Sequence, residues 1–204
     1  MLFGAVAGGD LEVRRKGGST RLSGSFPYNS TATLSDGGRR GRPRKERFAP
    51  GAFEYSIESG ELDIHLLVGH DFGKPLASKN AGSLLLRSTD DGLFFTAKLS
   101  DSVLDTSHGR DAMSMLSAGL IGGVSPGFRI PPERTVPNAE TVEDEDPSQG
   151  TAIIRTVNDA ILYELSLVTR PAYPDTTVEE RNWQVPAVQS AAHVQSTARY
   201  RWRL

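Results

Sequence analysis

One hydroxyl, Ser125, stands in the decapeptide Ile-Gly-Gly-Val-Ser-Pro-Gly-Phe-Arg-Ile (121–130), framed by Gly122, Gly123 and Gly127 and by the apolar Val124 and Phe128. Glycine admits positive φ and close approach of other groups, so three glycines around one serine suggest a hydroxyl displayed at a tight bend. The bland alternative is a β-turn in which the hydroxyl caps its own backbone. A serine nucleophile needs a base to take its proton, and the base needs a third group to hold one tautomer. The chain has four histidines and no cysteine. That shortens the search and excludes thiolate nucleophiles, disulfides and cysteine-ligated metals.

For the base, Leu62, Ile64, Leu66 and Val68 alternate with Asp63, His65, Leu67 and Gly69 in a strand pattern. One further step puts His70 on the apolar face at the strand end, with His65 on the opposite face. An imidazole there would have one edge against protein and the other towards a cleft, and its ordinary pKa of about 6.5 suits proton shuttling. A core histidine with a satisfied hydrogen bond is the competing reading. For the third group, Ile161, Tyr163, Leu165 and Leu167 form one apolar face of a strand over 160–168, and Glu164 points the other way, between Leu162 and Ser166. A buried carboxylate there needs a partner, which a histidine would supply. An exposed glutamate on the outer face of a barrel is the alternative, and the residues alone favour it.

The elements that must position these groups are short. The chain has 204 residues, 37% of them hydrophobic, with 21 glycines and 12 prolines. This suits one turn-rich domain of strands with few helices. Residues 1–19 show little periodicity and read as a flexible leader. Strand-like pieces at 22–27 and 31–34 precede a basic loop, 39–47. The strand over 62–69 runs into a loop at 71–75. Strands at 83–87 and 93–99 make a hairpin through Asp91-Gly92. Asp105-Thr106-Ser107 offers helix caps, and Ala112, Met113, Met115, Leu116 and Leu120 predict a helix over 107–117 that Gly119 ends. Four prolines and six acids over 131–150 predict a mobile acidic loop. Strands at 152–157 and 160–168 follow, around an Asn158-Asp159 turn, and 179–204 form a tail, disordered, helical or trimmed. The expected fold is mainly β with a few helices (α+β), a closed or nearly closed antiparallel β-barrel spanning 20–178.

Several segments, in order, resemble the tailed-phage prohead protease family, the serine proteases of capsid maturation. They are Phe48-Ala49-Pro50-Gly51-Ala52-Phe53; Leu66-Leu67-Val68-Gly69-His70-Asp71 with Pro75-Leu76; Asp91-Gly92-Leu93; Gly119 to Phe128; and Glu164-Leu165-Ser166-Leu167-Val168 followed by Pro171-Ala172-Tyr173-Pro174. The resemblance implies a barrel similar to the herpesvirus assemblins, and it makes Ser125 the nucleophile, His70 the general base and Glu164 the third member. Asp159 and His193 are weaker candidates for that last role. Pro126 departs from the pattern, because proline has no N–H to offer an oxyanion. The assemblin likeness points instead to the segment after the third residue, for example Arg170. It also suggests dimerisation as a switch.

The implied activity is a serine endopeptidase that cuts scaffold, or a scaffold-like extension of the major capsid protein, and itself. It would act inside the assembling procapsid in the host cytoplasm. A non-catalytic barrel that binds capsid or scaffold is the alternative. Nucleic-acid binding through Arg39 to Arg47 is a third reading, which the formal net charge of −2 opposes. No cofactor or metal is implied, since no cluster has ligand spacing. No apolar run approaches the roughly 18 residues of a membrane span. Met1 to Gly9 is apolar but lacks a basic leader. A soluble, intracellular protein is expected.

Overall fold

A computed structural model describes residues 2–6, 9–16 and 19–171, with side chains from residue 20 onward. It is mainly β with few helices. In chain order the strands are β1 (Leu2–Val6), β2 (Gly9–Lys16), β3 (Ser19–Pro27), β4 (Ala32–Ser35) and β5 (Arg44–Phe48), followed by helix α1 (Glu54–Glu58). Then come β6 (His65–Val68), β7 (Asp71–Ser78), β8 (Leu84–Ser88) and β9 (Gly92–Leu99), and helices α2 (Asp101–Leu104) and α3 (Ser107–Ser117). The last four are β10 (Gly123–Arg129), β11 (Glu140–Asp144), β12 (Ile153–Val157) and β13 (Ile161–Val168). The stretch read as a leader therefore holds two strands.

The strands pair into three sheets, ordered β1-β2-β3-β9-β8, β10-β13-β6-β7 and β11-β12-β5-β4. The parallel pairings of β12 with β5 and of β13 with β6 depart from the expected antiparallel order, and the described residues show three sheets with no closed barrel among them. The two strands expected on either side of the Asn158-Asp159 turn lie in different sheets. Each is claimed by a partner distant in sequence, which local turn signals do not reveal.

An aromatic cluster makes the centre of the core. Phe26 and Phe48 are buried at 1% exposure and Phe53 at 0%, with ring centroids 5.1 Å (Phe26–Phe48) and 5.2 Å (Phe48–Phe53) apart. Phe128 closes on Phe48 edge-on at 5.0 Å, a favoured arrangement for ring quadrupoles. Leu22, Leu66, Leu93, Phe95, Leu165 and Leu167 extend the cluster between the sheets. Helix α3 forms where the spacing predicts. Thr106 caps it by accepting from the Gly109 N–H at 3.0 Å, and Ala112 and Leu116, four apart, are its buried stripe. Gly119, at φ +70, ends it.

The charged segments come together as a sheet. The basic run contributes β5 and the acidic run contributes β11, which flank β12 on either side. Arg42 meets Asp144 at 2.8 Å, Arg47 meets Glu143 at 2.6 Å, and Lys45 pairs with Glu145. On the buried face Arg155 of β12 pairs with Glu46 of β5, its register partner; both are 2% exposed or less. The mobile-loop expectation for 131–150 thus gives way to a strand whose acids face the cations of β5.

Candidate active site

The three candidate residues converge on the sheet β10-β13-β6-β7. In its middle, β13 runs antiparallel to β10 and parallel to β6. Residues directly opposite across a sheet share a face, so the register decides which side chains meet. Ser125 lies opposite Ser166, and Gly127 opposite Glu164. Glu164 and Ser166 are two apart on β13, so both project to the face that carries Ser125. On the far side of β13, Glu164 registers with His65 and Ser166 with Leu67.

His70 arrives by a route that strand counting does not anticipate. Gly69 and His70 form the two-residue turn between β6 and β7, with Val68 opposite Asp71. Both have positive φ, +65 and +60, the combination required by the turn that matches hairpin twist. His70 therefore ends no apolar row. Left-handed backbone, tolerated by histidine better than by most residues, swings it back over the sheet. Its Nδ1 lies 2.6 Å from Glu164 Oε1. Its backbone N–H donates to Ser166 Oγ at 2.8 Å, and the Gly69 N–H donates to Leu167 O at 3.0 Å. The segment expected to be a loop at 71–75 is the first part of β7.

Glu164 is buried at 3% exposure, so the exposed-glutamate alternative does not hold. The carboxylate is partnered on both oxygens. Oε1 faces His70, and Oε2 accepts from Ser166 Oγ at 2.6 Å. Ser125 is 2% exposed and the His70 side chain 41%, so the imidazole is the part of the site that meets solvent.

The glycines around Ser125 serve a different purpose from the one their spacing suggests. Ser125 sits in the strand β10, not at a bend, and none of Gly122, Gly123 and Gly127 has positive φ. They admit neighbours. A Cβ on Gly127 would lie 1.9 Å from Glu164 Oε1, so the carboxylate crosses β10 where a side chain is missing. A Cβ on Gly122 would lie 2.7 Å from Thr169 O, and one on Gly123 would lie 3.4 Å from the Pro171 ring. Pro126 also finds its reason, since β10 is an edge strand. Leu167 O accepts from the Gly69 N–H on the β6 side, so alternation turns the main chain of Ser166 towards β10 and the donor-less nitrogen of Pro126 away from β13. The other edge strand, β7, carries Pro75.

The remaining candidates lie elsewhere. Asp159 is exposed before β13 begins, at the end of the strand away from Ser166, and its N–H donates to Ala139 O at 3.0 Å. Arg170 is exposed just past β13, where the chain folds back so that Pro171 covers Gly123. His193 and the tail at 179–204 lie outside the described residues. Sequence reasoning missed Ser166 as a site residue. The signal was available, for it stands two places from Glu164 on the same face.

Among the described residues no group of three or more His, Asp or Glu side chains could hold a metal ion, and no helix is long and apolar enough to cross a membrane. The family model of the caudovirus prohead serine proteases matches residues 25–191. That span takes in every element from the end of β3 onward. No curated protein and no solved structure gave a significant match.

Proposed function

Because this chain belongs to the caudovirus prohead serine protease family, we propose that it is an endopeptidase in which Ser125 is the nucleophile, His70 the general base and Glu164 the orienting carboxylate. The observation that carries the assignment is the 2.6 Å bond between His70 Nδ1 and buried Glu164. An ionised carboxylate only accepts, so the proton of the neutral ring sits on Nδ1 and Nε2 keeps the lone pair that a base requires. Nε2 takes the Ser125 hydroxyl proton as Oγ adds to the scissile carbonyl carbon. The imidazolium, steadied by Glu164, returns that proton to the leaving amine. Water then repeats the relay to release the acyl group. Pro126 has no N–H, so the oxyanion takes its donors from other groups. Arg170 is the candidate.

The substrates on this reading are scaffold or a scaffold-like region of the major capsid protein, together with the chain itself, inside the procapsid in the host cytoplasm. The test is intact-mass spectrometry of the full chain incubated with capsid precursor, beside Ser125→Ala. Time-dependent fragments from wild type alone support the proposal. Binding of precursor without cleavage by either protein favours the non-catalytic alternative.

A further inference from the structure

We infer that Ser166 is a positioning residue of the site, acting through Glu164 and the His70 turn. This rests on the catalytic reading above.

The His70 backbone N–H can only donate, so at that contact, 2.8 Å, Ser166 Oγ is the acceptor. A hydroxyl has one proton, and this one goes to Glu164 Oε2 at 2.6 Å. Glu164 Oε1 closes the circuit at His70 Nδ1, again 2.6 Å. The hydrogen bonds form a ring that begins and ends on one histidine: its backbone N–H donates to the serine, the serine donates to the carboxylate, and the imidazole N–H donates to the same carboxylate. Each link constrains the next. Ser166 occupies Oε2 as a donor, which leaves Oε1 for the ring N–H and fixes the carboxylate's rotation.

The same hydroxyl anchors strained backbone. His70 is one of three described non-glycine residues at positive φ, a conformation that crowds the Cβ against the backbone. Its N–H is tied to a side chain that is 0% exposed in a central strand. Ser166 thus sets where the turn sits and how the ring points. It is not a second nucleophile, for its one proton is directed at Glu164.

The experiment is the labelling kinetics of the full-length chain with a fluorophosphonate, separating the limiting rate kinact from the apparent affinity KI. Ser166→Ala should lower kinact by about 10²-fold, the scale expected for a catalytic group displaced by about 1 Å, with KI unchanged. Ser166→Thr keeps the hydroxyl and should recover most of the rate. A double-mutant cycle adds a readout that a purely structural role would not move: with Glu164→Gln already present, Ser166→Ala should cost less than about threefold, because the two act as a unit. If Ser166→Ala does not fold, Ser166→Cys keeps the volume but donates weakly, and it should show a loss of about tenfold. Wild-type kinact in folded Ser166→Ala, or costs that multiply independently with Glu164→Gln, overturns the inference alone. A wild-type chain that does not label at Ser125 overturns this inference and the catalytic reading together.

Discussion

His70 and Glu164 meet, and Ser125 shares their face of the sheet, because one face of β13 carries Glu164 and Ser166 among apolar residues. Removing Ser125 or His70 should lower kcat by about 10⁶, the loss typical of a serine-protease nucleophile or base, whereas Glu164→Gln should cost about 10⁴, because it keeps the shape but not the orienting charge. Steady-state cleavage of capsid precursor measures both. A less obvious substitution is Gly127→Ala. Its Cβ would stand 1.9 Å from Glu164 Oε1, so the carboxylate must move, and cleavage should fall by about 10²-fold or more. Wild-type activity in Gly127→Ala would mean that Glu164 does not need its present position. At this scale the sequence was informative about identity and silent about purpose. The alternation of 160–168 put Glu164 and Ser166 on one face, yet nothing local distinguished a buried carboxylate from an exposed one. That distinction depends on Gly127, 37 residues away in the chain and directly opposite in the sheet.

At the scale of elements, the hairpin β6–β7 decides the geometry. Counting by twos from Leu62 extends a strand through a turn, and so gives His70 the wrong neighbours. The chain reverses at Gly69-His70, and positive φ at both residues carries the ring to Glu164. Gly69 is at φ +65 with open space around its Cβ position, so Gly69→Ala tests conformation and not crowding. It should lower stability by about 1 kcal/mol, read from denaturant unfolding, and reduce activity with it. Elements with self-contained signals were legible: α3 with its cap at Thr106 and its stop at Gly119, and the β8–β9 hairpin. Elements held by distant partners were not. β12 and β13 read as two strands around a turn, with nothing to show that they pair with β5 and β6.

For the whole molecule, charge organises the sheet that stands apart from the site. The basic and acidic runs, which read separately as a basic loop and a mobile acidic loop, flank β12 and pair across it. This weakens the nucleic-acid reading, since Arg42, Lys45 and Arg47 already face carboxylates. The Lys45 ammonium, helped by the Ala152 N–H, holds the Glu145 carboxyl below its ordinary range. A carboxylate depressed in the folded state adds stability above its unfolded pKa and loses it as pH falls through the folded value. Glu145→Gln should therefore narrow the gap in melting temperature between pH 7 and pH 3, measured by thermal unfolding. The buried Arg155–Glu46 pair behaves differently. Arg155→Met leaves Glu46 buried without its partner and should cost about 3–5 kcal/mol. The core was visible in strand alternation, but the division into three sheets was not, because it follows from long-range pairings.

The most direct test is the site of covalent labelling. Full-length wild type is treated with a fluorophosphonate and analysed by intact and fragment mass spectrometry, with Ser125→Ala and His70→Ala alongside. The account predicts one adduct per chain, located on Ser125, absent from Ser125→Ala and formed far more slowly in His70→Ala. An adduct on another serine, or equal labelling of wild type and Ser125→Ala, would contradict it.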